Sequence, residues 1–402
     1  MPLKKNGASL KRTLRKALVF SAAMLALAGS SGALNAFDPY YCPDLYRAGA
    51  SEQTDCPDPC PKPYCPPASC LGCPSQYELF ADFLYWQINA DGLEFARMHG
   101  ISSGPSEPAI CGGIFSPKCK PGAGFRVGLV IDLDCSEWDV FAQYTRLTQK
   151  FSSTFTDDFT PIIPIPPNGN DNGNNDVVLS LYPLIYNQGI GGNQQLTSAK
   201  GAWDSCINVL DFGMGRAIAV SPCFDFRPHF GLKASWQQLK YHVRYDTLIV
   251  VDEEEIVPIA ADIRNKTDFS GIGLRGGFDA SWNFTPCVSL VGAFALSALW
   301  SDIDTHRQDS FDIDEQGTVQ NVDLRLNKCA LIPVMEILLG FRYDTMWCDT
   351  DIFAFVGWEN QVWWDMNRFI FIENNDTGNN YHFGPAGNIS YQGLTVRGGF
   401  GF

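Results

Sequence analysis

Apolar and polar side chains alternate with a period of two along most of the chain after Tyr77, and this pattern constrains the fold more than any other feature. Within 125–133 the odd-numbered residues are apolar, whereas Arg126 and Asp132 fall on even-numbered positions. The same alternation occupies three further segments, 226–237, 272–282 and 335–345. Because successive side chains of a β-strand point to opposite faces, each segment predicts a strand with one apolar and one charged face.

Two architectures use strands of this kind. A soluble sandwich buries the apolar faces between its sheets, whereas a transmembrane barrel turns them to lipid and encloses the polar faces. The predicted strands run for about 10–13 residues, close to the roughly 9–11 that a tilted strand needs to cross a bilayer. The chain also ends in an alternating strand that closes on Phe402, an ending that resembles the C-terminal signal of bacterial outer-membrane barrels. We therefore predict an all-β fold, a transmembrane antiparallel β-barrel, over the sandwich.

Four short turns that each contain a cysteine divide the chain into hairpins, at 134–137, 221–224, 285–288 and 347–350. With a first strand at 77–88 and the C-terminal strand, these hairpins give ten strands, the favoured number, and the segments 177–186 and 241–251 would extend the range to 14. An exported barrel begins and ends in the periplasm, so we expect short periplasmic turns and long extracellular loops. The long links cover 90–122, 149–205, 241–268, 301–330 and 365–389.

The N-terminal region predicts export. Six Lys and Arg residues precede an apolar run at 17–28, and small residues then lead to Ala33 and Ala36. This order is typical of a secretory signal peptide, here residues 1–36, and the run is too short for a membrane-spanning helix of about 20 residues. Loss of the leader changes the formal charge from −15 to −21. A surface of that sign repels phosphates, so nucleic acid is not expected as a partner.

The chain contains 14 cysteines, an even number that favours disulfides in an oxidising compartment. The Pro-rich segment 37–76 holds six of them and too few aliphatic residues for a core, so we interpret it as a periplasmic segment ordered by disulfides or partners that precedes the barrel at 77–402. A zinc site is the alternative for these cysteines, but only Cys70 and Cys73 are separated by the two residues typical of a pair of zinc ligands. We therefore predict no metal. Cys111 and Cys119 are expected to pin one loop. The disulfide candidates are Cys42, Cys56, Cys60, Cys65, Cys70, Cys73, Cys111, Cys119, Cys135, Cys223, Cys287 and Cys348.

The charged faces of the predicted strands carry both signs and are expected to line the barrel interior. Opposed rows of charge favour water and small polar solutes over apolar ones, which predicts a diffusion channel. The alternative is that the same charges pair across a narrow interior and plug it. The predicted pore-lining residues are Asp82, Arg126, Asp132, Asp211, Arg227, Lys233, Arg275, Asp279, Glu336, Arg342, Asp344, Glu359 and Arg397.

Several motifs suggest enzymatic or cofactor chemistry and are better explained by the strand pattern. The glycines of 271–276 match a dinucleotide fingerprint, but they fall inside an alternating strand and not between a strand and a helix. The segment 168–176 is rich in Asn and Asp and lacks the spacing of a calcium loop. The five histidines have no recognisable Ser or Asp companion motif, so an outer-membrane hydrolase is a weaker alternative. We therefore predict no cofactor and no enzyme.

Four segments of the chain, LDFGMGR at 210–216, RPHFGLKASW at 227–236, GIGLRGG at 271–277 and GWENQ at 357–361, resemble the pore-forming major outer membrane proteins shared by Legionella and the Chlamydia-like bacteria. The likeness covers most of the chain from Tyr77 to Phe402. It implies a porin of the bacterial outer membrane, in contact with lipid, that passes small polar solutes or ions. For the cysteine-rich members it also implies a disulfide-linked envelope, with a homo-oligomer or Cys-rich envelope proteins as partners. A non-conducting structural or adhesive barrel is the alternative.

Overall fold

The computed structural model describes residues 77–100, 111–133, 137–157, 179–185, 194–251, 255–313, 317–347, 350–375, 378–382 and 387–402. The predicted signal peptide and Cys/Pro-rich segment lie outside these residues, as do the turn centres at 134–136 and 348–349 and the segment 168–176. In the part of the chain that is described, no helix is long and apolar enough to cross a bilayer.

Ten long strands form the main sheet: β1 (Tyr77–Ala90), β4 (Gly122–Asp132), β5 (Trp138–Thr156), β7 (Ser198–Arg216), β9 (Phe224–Val251), β10 (Glu255–Asn283), β11 (Val288–Ile313), β12 (Gly317–Trp347), β13 (Thr350–Asn367) and β16 (Gly387–Gly401). The shorter strands are β2 (Ala96–Gly100), β3 (Cys111–Phe115), β6 (Leu179–Pro183), β8 (Ile218–Ser221), β14 (Phe371–Asn375) and β15 (Gly378–His382).

The main sheet closes on itself. Each long strand pairs antiparallel with its neighbours in the order β1-β4-β5-β7-β9-β10-β11-β12-β13-β16, and β16 pairs back to β1. Closure is continuous from Glu78 opposite Gly401 to Ala90 opposite Ile389. The short β8 pairs with the start of β9. The fold is therefore the predicted ten-stranded antiparallel barrel.

The apolar faces of the strands point outward, as predicted. Phe230, Leu274 and Phe341 are 56%, 73% and 55% exposed, although each is a large apolar side chain. On β9 the outward apolar run extends from Phe226 to Trp236, and ten residues at about 3.3 Å with a tilt near 40° span about 25 Å along the barrel axis. That height matches the apolar band of a membrane barrel, and we call this band the belt. The inverted alternation thus places a lipid-sized apolar surface on the outside.

Four strands extend far beyond the belt at one end, which we call the extended end; the other is the short-turn end. The strands β9, β10, β11 and β12 contain 28, 29, 26 and 31 residues. The predicted long links at 241–268 and 301–330 are therefore wrong, because these segments are mostly strand. Beyond the belt the alternation continues with its polarity exchanged: Leu239, Tyr241 and Val243 point inward and are buried. A strand that leaves hydrocarbon faces water outside, so its apolar side turns into the barrel.

The predicted additional barrel strands do not form. Residues 241–251 belong to β9, and the described part of 177–186 forms β6. This strand pairs with β2, which pairs with β3, in a separate three-stranded sheet. Leu181 at the centre of β6 is fully buried. The segment therefore serves to pack apolar side chains at the extended end rather than to widen the barrel.

Candidate functional site

The barrel interior at the level of the belt contains a dense network of buried ion pairs. Arg126 on β4 binds Glu359 on β13 with Nη2 to Oε1 at 2.7 Å, and Asp82 on β1 with Nη1 to Oδ2 at 3.1 Å. Arg397 on β16 binds the other Asp82 oxygen at 2.7 Å. Because β4 and β13 are separated by two intervening strands, the Arg126–Glu359 pair bridges the interior rather than a neighbouring strand.

A second group lies on the opposite wall. Lys233 on β9 is fully buried, and its Nζ lies 2.6 Å from both Asp211 and Glu336. The other oxygen of Glu336 accepts from Arg275 at 2.9 Å. Gln143 donates to Asp211 at 2.9 Å. One lysine therefore shares two carboxylates with an arginine, in an environment almost without solvent exposure.

Closer to the short-turn end, two arginines each bind two carboxylates. Arg227 donates to Asp139 and, at 2.5 Å, to Asp279. Arg342 donates to Asp344 at 2.8 Å and to Glu78 on β1 at 3.4 Å. The Arg342–Glu78 pair again joins strands that are not neighbours. Charges of both signs therefore meet across the interior at this level too.

A single hydrogen bond spans the interior above the ion pairs. The Tyr391 hydroxyl on β16 donates to Oε1 of Gln237 on β9 at 3.0 Å, and both residues are buried. In the strand order, β16 and β9 are five strands apart in either direction, so they stand diametrically opposite. The two side chains therefore meet across the middle of the barrel.

At the extended end the interior is apolar. We define the mouth cluster as Phe95, Trp203, Tyr241, Trp363, Phe369 and Tyr391, all buried. The Phe369 ring lies 5.6 Å from the rings of both Trp203 and Tyr241. Trp363 points inward and packs edge-to-face on Phe269 and Tyr391. Its parity along β13 matches that of Glu359, which places both side chains inside.

Polar contacts from the wall hold the two chain segments that enter the mouth. Tyr241 donates to the Leu93 carbonyl at 2.6 Å, and Tyr245 donates to the Phe95 carbonyl. Burial raises the pKa of the Tyr241 hydroxyl, which keeps it a proton donor. Arg307, fully buried beside Asp309, donates to the Ile370 carbonyl at 2.9 Å. The segments around Leu93 and Ile370 are thus fixed to β9 and β11.

The structure brings together twelve of the thirteen predicted pore-lining residues in the ion pairs above. Asp132 is the exception: it faces Asp139 across β4 and β5 and makes no ion pair in the described part of the chain. The predicted pore-lining residues do not include Glu78 and Asp139, although their parity along β1 and β5 is that of the inward-facing charged residues. They also do not include Tyr391 and Gln237, because the prediction considered only charged side chains.

The described cysteines are in two states. Cys223 and Cys287, in two short turns, are disulfide-bonded. Cys119, Cys206 and Cys329 are free thiols. The expected pairing of Cys111 with Cys119 is therefore wrong. From Cys111 to Phe115 the chain forms the extended strand β3, which rises about 3.3 Å per residue toward Cys119. A disulfide needs the two Cα atoms to lie within about 7 Å.

Three histidines of the described chain lie beside aspartates. His242 bonds to Asp262, and His306 bonds to Asp323, on the outer wall of the barrel. His229 lies inside the barrel, with its Nε2 3.8 Å from Asp279. Among the described residues no group of three or more His, Cys, Asp and Glu side chains is arranged to hold a metal ion.

Known structures provide only distant likenesses. The outer membrane protease OmpT from Escherichia coli is 12% identical with a TM-score of 0.36, and the match covers 82% of this chain and 97% of that one. A Pseudomonas aeruginosa FadL homologue is 8% identical with a TM-score of 0.23, covering 81% and 89%. The Pseudomonas putida toluene transporter TodX is 8% identical with a TM-score of 0.18, covering 81% and 89%. At these values none of them indicates an activity for this chain.

Comparison at the level of sequence identifies the family. No curated protein matches the chain. The family model described as Legionella pneumophila major outer membrane protein precursor matches residues 72–400, which include all of the barrel except its last residue and all of its interior ion pairs. The match confirms the resemblance seen in the four sequence segments and places the protein in the bacterial outer membrane. The chain belongs to the Legionella major outer membrane protein family.

Proposed function

We propose that the protein is chiefly a structural barrel of the outer membrane, closed to solutes in the conformation described above. The observation that carries this proposal is the Tyr391–Gln237 hydrogen bond between diametrically opposite strands. Ion pairs fill the interior on one side of this bond, and the mouth cluster fills it on the other. A barrel in which side chains meet at its centre stiffens the membrane without providing a free path.

The experiment is conductance of the purified full chain in planar bilayers. We expect a silent membrane at protein loads at which heat-modified electrophoretic mobility shows a folded barrel. Tyr391→Phe, which removes only the bridging hydroxyl, is expected to be silent as well because the ion pairs and the mouth cluster remain. Its matched control is Tyr144→Phe. This change removes a hydroxyl that donates to Asn208 at 2.7 Å on the outer face of the barrel. Regular current steps from the wild-type chain would overturn the proposal.

A diffusion channel for ions and small polar solutes is the second candidate, and the charge of the interior favours it. Buried ion pairs rarely stabilise a fold more than apolar packing of the same volume does. A barrel that needed only to be filled would therefore have little use for so many ionic groups. In the channel the described conformation is the closed state, and the pairs around Arg126 and Lys233 separate when it opens. Current steps that Arg126→Gln alters in size or frequency would support this candidate.

A covalent contribution to the envelope is the third part of the proposal. The disulfide-bonded state of Cys223 and Cys287 puts oxidised cysteines at the short-turn end, where the predicted periplasmic segment with six further cysteines precedes β1. Disulfides to that segment or to neighbouring molecules at this end would tie the barrel to the envelope. Electrophoresis of membranes without reductant should show high-mass bands that collapse when reductant is added. A single monomer band under both conditions would refute the crosslinking.

A further inference from the structure

The outer wall above the belt carries an excess of positive charge on β5, β7 and β9, although the chain as a whole has a formal charge of −15. The alternation places these side chains outward, away from the interior network. Five cations and two carboxylates face outward on this sector: Arg146, Lys150, Lys200, Lys240 and Arg244, with Asp204 and Asp246. Such local enrichment in an acidic protein calls for a negatively charged neighbour.

The strand register sets like charges directly against each other. Lys240 on β9 lies opposite Lys266 on β10, and Lys200 on β7 lies opposite Arg244 on β9. Like charges in directly opposed positions of a sheet destabilise it. Lys266 and Arg244 are each relieved by an aspartate. Neither Lys200 nor Lys240 makes a direct ion pair with any residue that the structure describes, although Lys240 also lies opposite Asp204 on β7 and acts on the carboxylate of Asp268. The Lys240 ammonium group thus has room for an external anion.

A groove of about 410 Å³ runs between these cations on the outer surface. The small side chain of Ala202 lies between Ser152 on β5 and His242 on β9 in the strand register. Lys150 and Lys240 border the groove on its two sides, and its single carboxylate, Asp204, is bonded to Lys150 at 2.9 Å. The groove therefore presents an unpaired ammonium group and a hydroxyl around a space that no large side chain fills. Hydrogen bonds of this charge-assisted kind suit a phosphate group.

The groove also lies at the right height in the membrane. Trp236 ends the belt on β9, and Lys240 follows four residues later, about 10 Å further along the barrel axis at the usual rise and tilt. Headgroups occupy roughly the first 5–8 Å beyond the hydrocarbon on each side. A lysine stem bends back by several ångströms to reach such a layer. Lys240 can therefore reach the phosphates of lipids that surround the barrel at the extended end, whereas Lys200, eight residues past the level of Trp236 in the register of β7 and β9, lies about 20 Å beyond the belt and cannot.

We propose that this basic groove, formed by Lys150, Ser152, Ala202, Lys240 and His242, binds the phosphate of a phosphorylated membrane lipid in the leaflet at the extended end. The lipid's acyl chains lie against the belt below, and its phosphate neutralises Lys240, which lies opposite Lys266. This binding needs only the fold and the membrane location, so it is independent of whether the interior conducts.

The test measures the affinity of the purified full chain, in neutral detergent, for fluorescently labelled diphosphorylated lipid A. The same lipid without its phosphates and inorganic phosphate alone are the comparison ligands. We expect the phosphorylated lipid to bind at least tenfold more tightly than its dephosphorylated form. Lys150→Gln with Lys240→Gln should weaken binding by about tenfold or more, the effect of removing two cations close to anionic headgroups. The affinity should also fall as salt concentration rises.

The matched control removes the same charge from a different strand of the extended end. Arg325→Gln with Lys328→Gln changes two exposed cations on β12, outside the groove, and should alter affinity by less than twofold. Equal affinity for both lipid forms, or equal losses in both double variants, would overturn the proposal. A preference for inorganic phosphate over the lipid would assign the groove to a free anion and overturn it too. If the double variant does not fold, the single variant Lys240→Gln gives the same comparison.

Discussion

Replacing Lys233 by Met tests whether the barrel interior is as dry as its ion pairs indicate. The lysine is fully buried and its Nζ lies 2.6 Å from both Asp211 and Glu336. After the substitution Glu336 keeps Arg275 at 2.9 Å, whereas the nearest remaining arginine atom lies 3.8 Å from Asp211. The cluster is then left with one uncompensated buried carboxylate. Breaking a buried pair by removing one partner costs about 3–5 kcal/mol, so we expect the free energy of unfolding to fall by that amount.

The assay is equilibrium unfolding by denaturant in lipid vesicles, followed by tryptophan fluorescence. Lys233→Met with Asp211→Asn removes both charges and should recover most of the loss, because one arginine then faces one carboxylate. The exposed control is Lys150→Met: its side chain is 72% exposed and pairs with Asp204 at 2.9 Å. Exposed pairs contribute about 1 kcal/mol or less. A loss at Lys233 no larger than that at Lys150 would mean that water screens the interior, and would refute the description of a filled barrel.

Three further substitutions test the mouth, the belt and the outer wall. Phe369→Ala should lower the free energy of unfolding by about 3–5 kcal/mol because its ring is buried between two others, and Phe371→Ala, only partly buried, should cost less. Phe230→Arg, in the middle of the belt, should cost about 2–4 kcal/mol in vesicles, and an unchanged stability there would contradict contact with lipid. Burial opposes ionisation of Asp268, but hydrogen bonds from Lys266 and Gln238 outweigh it and hold its pKa below 3.8. Its pairing therefore stabilises the barrel above that pH and is lost on acidification, so Asp268→Asn should cost less than about 1 kcal/mol at neutral pH and progressively less as the pH falls below 3.8, as measured by unfolding over a pH series.

The orientation of side chains at the level of the belt was predictable from sequence. Lys233 and Arg275 fall on the positions that alternate with outward Leu232 and Leu274, and the structure places them inside as expected. A single bilayer surrounds every strand at this level, so one rule of apolar outside and polar inside applies to all of them. Residue parity along each strand is then enough to assign a face.

The extensions of β9 to β12 were not predictable by that rule. On β9 the last outward apolar residue of the belt is Trp236, and from Leu239 onward the apolar residues have the opposite parity. The period of two continues through this point, but the solvent outside changes from hydrocarbon to water. A search for one continuous apolar face therefore ends the strand too early. The exchange of parity between Trp236 and Leu239 is the signal that marks where the strand leaves the membrane.

The pairing of interior charges also lay beyond the sequence. Asp82 and Arg126 are direct neighbours in the register of β1 and β4, so adjacent strands would suggest this pair. Arg126 also binds Glu359, which is 233 residues away on a strand separated from β4 by two others. Which residues meet across the barrel depends on its diameter and on the stagger between strands, and these follow from closure as a whole. The sequence supplies the charges and their faces, and the closed barrel selects their partners.

The two ways in which the interior is filled follow from the two solvents outside it. At the level of the belt the apolar face of the wall contacts hydrocarbon, and the inner face is polar and filled by ion pairs such as those of Lys233 and Arg126. Above the belt the outer face meets water, and the hydrophobic effect drives Phe369 and its neighbours into the barrel as it does in a soluble core. Opening the interior would therefore oppose two different forces. Exposing the mouth cluster to water is the larger barrier, because the separated charges below it would regain hydration and the exposed rings would not.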